Sequence, residues 1–240
     1  MTLLITLPSV LTLIHVLAAL LPAAYLLRYI YRHDTIEPEP PGLLLALLVL
    51  GVVAALLSGF LEGIGAEILD RFVPPYHPLY SILFAFLVVA AVEEGTKLIL
   101  LKWRTWRDRA FNYRFDGVVY AVFVSLGFAA FENIQYIFSY GLSVAIPRAI
   151  LAVPGHMAFS VFMGYFYGRA KLYENWGYPA VSGISLLLAY LSAVFFHGFY
   201  DACAMIGTPR AIGLFLLFVL VMFTVAFRMI KRESATDVPV

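Results

Sequence analysis

Two adjacent carboxylates and a lysine interrupt an otherwise apolar run between Leu79 and Leu101, in the order Glu93-Glu94-Gly95-Thr96-Lys97. A charged residue at the centre of a membrane helix costs roughly 2.5–3.5 kcal/mol on insertion scales, so a compensating gain is expected. On a helix, Lys97 shares a face with Glu93 at i, i+4 and with Glu94 at i, i+3. An internal ion pair that holds a bundle together accounts for one glutamate. The other is left over, and a buried carboxylate without its own cation is a candidate general base for water.

Three more polar groups sit on apolar segments further along. Phe131-Glu132-Asn133-Ile134-Gln135-Tyr136 places Glu132 one turn from Tyr136, within reach of its phenol. Pro154-Gly155-His156 interrupts the fifth apolar segment, and freed backbone groups in a membrane are tolerated where they line a wet cavity. His197 and Asp201 are spaced i, i+4; a carboxylate on one imidazole nitrogen fixes the tautomer and frees the other nitrogen to act. Each has a structural alternative: an interhelical contact, a core histidine, a pair at a helix end. As a set they support two hydrolytic chemistries. Glu132, His156 and His197 match the two-histidine, one-carboxylate pattern of catalytic zinc, with another glutamate as base. Equally, a glutamate could activate water directly while histidine and other donors stabilise the oxyanion.

Other hydrolytic arrangements are missing. There is no Gly-x-Ser-x-Gly elbow and no His-Glu-x-x-His helix. Asp116 and Asp201 lie at segment ends, so no aspartate pair sits deep in two spans. Cys203, the single cysteine, excludes an internal disulfide or thiolate cluster and reads as a small packing residue.

The elements that must position these residues are membrane helices. The 240 residues are 62% hydrophobic and 13% charged, against about 25% charged in soluble domains. A spanning helix needs about 20 apolar residues, and about seven segments qualify: roughly 5–27, 42–66, 79–102, 116–139, 146–168, 179–202 and 209–230. The expected fold is all-α, a polytopic bundle forming one domain over 1–240, with its catalytic core at about 79–202. The first segment has no Lys or Arg before it and is read as a retained span rather than a signal peptide; His15 within it reads as a packed or interfacial residue. The run from Gly51 to Gly59 offers small residues for close helix packing. Glu62 and Glu67, near the outer end of the second segment, read as interfacial rather than catalytic, with Glu62 the one to test. Pro38, Pro40 and Pro41, then Pro74, Pro75 and Pro78, punctuate the first two connections.

Basic residues divide unevenly between the two sides. One side receives Arg28, Arg32, five cations between Lys102 and Arg114, Arg169, Lys171, Arg228, Lys231 and Arg232. The other receives Arg71, Arg148 and Arg210. The positive-inside rule then places the N-terminus outside and the C-terminus in the cytoplasm. The net charge of +1 gives no reason to expect nucleic acid as a partner.

The motifs Glu93-Glu94-x-x-Lys97, Phe131-Glu132-x-x-x-Tyr136, His156 and His197-x-x-x-Asp201 together resemble those of the PrsW family of intramembrane proteases. That family is similar to the CAAX prenyl endopeptidases and bacteriocin-processing membrane proteases. Phe128-x-x-x-Glu132 keeps the spacing of their second motif with glutamate in place of histidine. The resemblance implies a multi-pass enzyme of a bacterial- or archaeal-type plasma membrane. It would make the first, extracytoplasmic cut in a single-span substrate such as an anti-sigma factor, with zinc as the cofactor if the enzyme is a metalloprotease. The residues that would carry this are Glu93, Glu94, Lys97, Glu132, His156, His197 and Asp201. The rival expectation is a proton- or ion-coupled transporter, since buried carboxylates and histidines also build proton relays. An inverted repeat with broken helices in both halves would favour transport, and only one interrupted segment is evident.

Overall fold

The computed structural model describes residues 7–240; the residues before Leu7, where the expected first span begins, lie outside the described part. The described chain is helical almost throughout. Its α-helices are α1 (Leu7–His33), α2 (Pro41–Phe72), α3 (Tyr80–Leu83), α4 (Ala91–Thr105), α5 (Asp116–Tyr140), α6 (Ala145–Pro147), α7 (Val153–Asn175), α8 (Pro179–Ile206) and α9 (Pro209–Ala235). Helices are what a lipid solvent demands, because every backbone N–H and C=O must be satisfied within the segment. Prolines open α2, α8 and α9, where a missing N–H goes unnoticed. Gly141 and Gly207, both at positive φ, close α5 and α8.

Six helical stretches are long and apolar enough to cross a membrane on length and composition. The expected third span is helical too, but in three consecutive pieces: α3, a π-helical segment Phe84–Ala90, and α4. A second π segment, Arg148–Ala152, leads into α7. The interruption expected at Pro154-Gly155 therefore takes another form. The helix continues through both residues, with Pro154 in the first turn of α7, and the wide turns lie just before it. Such π turns recur at functional sites.

The centre of the bundle is α5 and α7, which pack on each other and on α2 and α8. The outward faces of α1, α2 and α9 carry exposed Leu, Ile, Val and Phe side chains, the surface a lipid solvent would wet. The crossing of α2 and α5 depends on Gly51 and Gly127. A Cβ on Gly51 would overlap the Val124 carbonyl, and one on Gly127 the Leu48 carbonyl. Gly51 thus supports the small-residue reading, whereas Gly59 faces open space.

Candidate active site

The first π segment, Phe84–Ala90, runs into α4 and brings Glu93, Glu94 and Lys97 to the wall of α5 and α7. Lys97 donates to Glu93 Oε2 at 2.9 Å and to Glu94 Oε1 at 2.8 Å, and its ammonium lies 3.9 Å from the Phe128 ring centroid. It is also 3.4 Å from His156 Nδ1. An ammonium only donates, so that nitrogen holds a lone pair and Nε2 carries the hydrogen. His156 Nε2 then donates to Glu132 Oε2 at 3.0 Å.

Glu132 takes a second cation from an unexpected source. Arg148, counted above as a loop residue, donates to Glu132 Oε2 at 2.9 Å and through Nε to Asn133 at 2.7 Å. Its guanidinium lies over the Tyr136 ring, 3.9 Å from the centroid. Tyr136 therefore supports the arginine that binds Glu132 rather than binding the carboxylate itself. The opposite charges of Glu132 and Arg148 at facing segment ends were the only sequence signal for this pair.

His197 lies between two carboxylates. Nδ1 is 2.8 Å from Glu94 Oε1 and Nε2 is 3.3 Å from Asp201 Oδ2. Carboxylates accept and do not donate, so an imidazolium satisfies both contacts. Asp201 contacts one ring nitrogen, while the second nitrogen, expected to be free, is engaged by Glu94. The Phe159 ring stacks on His197 at 4.7 Å between centroids, and the two histidine rings meet edge to face at 5.5 Å.

All seven expected site residues thus converge, and most of them border one cavity of about 380 Å³. Glu93, Glu132, His156, His197 and Asp201 line it; Glu94 and Lys97 are packed beneath. The cavity also collects residues that the sequence did not single out. Arg148 and Ala152 come from one π segment, Phe84 and Val89 from the other. Glu62, read above as interfacial, points in from α2, while Glu67 stays exposed. Glu62 Oε1 is buried without a hydrogen-bond partner.

Donors for a metal ion are present. Among the described residues, the group whose ligand atoms lie within 4.8 Å of one another is Glu93, Glu94 and His156. Two carboxylates and an imidazole suit zinc, and Glu94 Oε2 is buried without a partner. Glu132 and His197, named with His156 as the expected set, stand around this group rather than in it. The donor chemistry fits, but the Lys97 ammonium contacts the same three residues, so an ion there competes with it.

A family profile described as PrsW family intramembrane metalloprotease matches residues 39–228. Protease PrsW of Oceanobacillus iheyensis is 34% identical over 185 residues, 77% of this chain and 80% of the relative. Protease PrsW of Halalkalibacterium halodurans is 30% identical over 230 residues, 92% of this chain and 97% of the relative. Protease PrsW of Bacillus subtilis is 31% identical over 190 residues, 77% and 79% of the two chains. No solved structure matches. With its polar residues gathered in one cavity of a helical membrane bundle, and with matches spanning most of its length, the chain belongs to the PrsW family of intramembrane proteases.

Proposed function

We propose that this protease cleaves a single-span membrane protein, of the anti-sigma-factor type, on its extracytoplasmic side, and that Glu93 activates the attacking water. The observation that carries the assignment is the difference between the paired glutamates. Glu93 borders the cavity; Glu94 is fully buried and already accepts from Lys97 and His197. Lys97 holds both carboxylates in place and offsets part of their charge.

In this reading Glu93 takes a proton from water as the oxygen attacks the scissile carbonyl carbon. The same proton then goes to the leaving nitrogen as the C–N bond breaks. The Arg148 guanidinium is the donor that faces the cavity where negative charge develops on the carbonyl oxygen. Glu132 positions it and also accepts the single Nε2–H of His156, and His197 is positioned by Asp201 and Glu94. If zinc is bound, Glu93, Glu94 and His156 are the residues grouped closely enough to hold it, and it would supply a water that ionises near pH 7.

The test is cleavage of a single-span reporter by purified protein in lipid vesicles. Glu93→Gln is expected to lower the rate by about 10²-fold or more, the scale of losing general-base help. Normal cleavage by Glu93→Gln would sink the assignment.

A further inference from the structure

The cavity has an imbalance of charge that the reaction only partly uses. Four carboxylates border it, those of Glu62, Glu93, Glu132 and Asp201, against the Arg148 guanidinium and the His197 imidazolium. The two fixed cations nearby are already committed. Lys97 bonds Glu93 and Glu94, and Arg148 bonds Glu132 and Asn133. Asp201 has His197. Glu62 is the carboxylate left over: among the described residues no hydrogen bond or ion pair reaches it, and its Oε1 is buried. Its helix, α2, contributes no other residue to the cavity. A carboxylate in this position is costly unless something brings it a partner.

In the ionised form that partner comes with the occupant. A metal ion is disfavoured at Glu62, because its oxygens do not belong to the group of mutually close ligand atoms. A backbone N–H from a bound peptide would satisfy one oxygen but leave the charge unbalanced. A lysine or arginine side chain supplies donors and charge together, with a long apolar stem suited to the aromatic walls of Phe84 and Phe159. The volume, about 380 Å³, accommodates a short stretch of extended peptide and one such side chain.

Resting on the protease reading above, we infer that Glu62 is a specificity-determining residue that receives a lysine or arginine side chain of the substrate beside the scissile bond. The enzyme then selects, among single-span proteins whose outer flank reaches the cavity, those with a basic residue near the cut. Opposite charge on α2 would select the opposite substrate.

The experiment is a scan of a single-span reporter in lipid vesicles. Lys, Gln or Glu is placed in turn at each position of the outer flanking segment, and kcat/KM is measured for each. At one position Lys is expected to be cut roughly tenfold better than Gln, the scale of one charge-assisted hydrogen bond, with Glu the poorest. Glu62→Gln should bring the Lys-to-Gln ratio near unity, and Glu62→Lys should make the Glu reporter the preferred one. Glu62→Asp keeps the charge and should keep the preference. Cleavage by the native enzyme with no charge preference at any position overturns the inference, whether or not the variants fold. So does a Lys preference that persists in Glu62→Gln. Failure of the native enzyme to cut any reporter counts against the protease reading instead.

Discussion

His197 Nδ1 lies 2.8 Å from Glu94 Oε1, joining α8 to α4 across 103 positions of sequence. The contact separates the roles of two neighbouring glutamates that look equivalent in sequence. Glu94 is tied to a histidine and a lysine at once, whereas Glu93 shares only the lysine at hydrogen-bond distance. In Glu94→Gln two buried cationic partners lose their common carboxylate. Breaking a buried pair in this way costs about 3–5 kcal/mol, so Glu94→Gln should unfold at clearly lower temperature in detergent. Glu93→Gln leaves Lys97 with Glu94 and should lose less stability while losing activity. The reverse order of midpoints would assign the structural role to Glu93.

The position of Lys97 sets up a test for metal. Its ammonium stands among Glu93, Glu94 and His156, the three residues best grouped to hold an ion. Removing it leaves two carboxylates without their cation. Lys97→Met is therefore expected to raise the zinc bound per chain in purified protein. Adding His156→Ala should lower it again, since that variant removes one of the grouped ligands. Stoichiometric zinc in the native protein, unchanged in Lys97→Met, would mean that the lysine does not compete for the site. Ligands must be deprotonated to bind, so uptake should be compared at one fixed pH.

Much of this site was legible because the membrane makes polarity expensive. Glu93, Glu94, Glu132, His156 and His197 stood out as polar residues in apolar segments, and they converge. What did not show was the backbone. Two π segments, Phe84–Ala90 and Arg148–Ala152, leave no mark in a hydrophobic pattern, yet they carry four cavity residues. Arg148 and Glu62 were misread for a related reason. Near segment ends a charge is cheap, so its presence carries little information, and only the packing of α2, α5 and α7 shows that both reach inward. The transport alternative rested on the same buried groups, and the family match removed it.

The connection between α1 and α2 offers a test of pH dependence away from the active site. Glu39 is buried there and accepts from the Tyr120 hydroxyl at 2.6 Å. Burial pushes its carboxyl up to about 7, and that of Asp34 up to about 6. The folded chain thus holds protons that the unfolded chain releases at lower pH. Stability from these groups is fully present below the unfolded values and is lost as pH rises through the folded ones. The apparent unfolding midpoint in detergent should fall between about pH 4 and pH 7, and Glu39→Gln should flatten part of that fall. A slope that Glu39→Gln leaves unchanged would place the titration elsewhere.

The last prediction concerns where the cavity opens. Its lining comes from the late parts of α2, α5 and α8 and from the chain just after Tyr80 and Leu142. Those parts lie at the same end of the bundle, because successive spans run in opposite directions. Glu132 is roughly two turns, on the order of 10 Å, from the end of α5 at Tyr140. Glu93 is roughly 20 Å from Tyr80 along its helical stretch, which makes the glutamate pair the floor of a funnel. By the basic-residue asymmetry this end is expected outside the cell. A reporter fused near Pro75 should therefore be external and one after Arg109 cytoplasmic. For labelling, the native thiol of Cys203 should first be removed as Cys203→Ala. Ala152→Cys and Met205→Cys, both bordering the cavity, should then react with a membrane-impermeant thiol reagent faster from outside than from inside. Faster labelling from the cytoplasm, with the reporters on their expected sides, would mean that the funnel opens inward and that the cut is made on the cytoplasmic flank of the substrate.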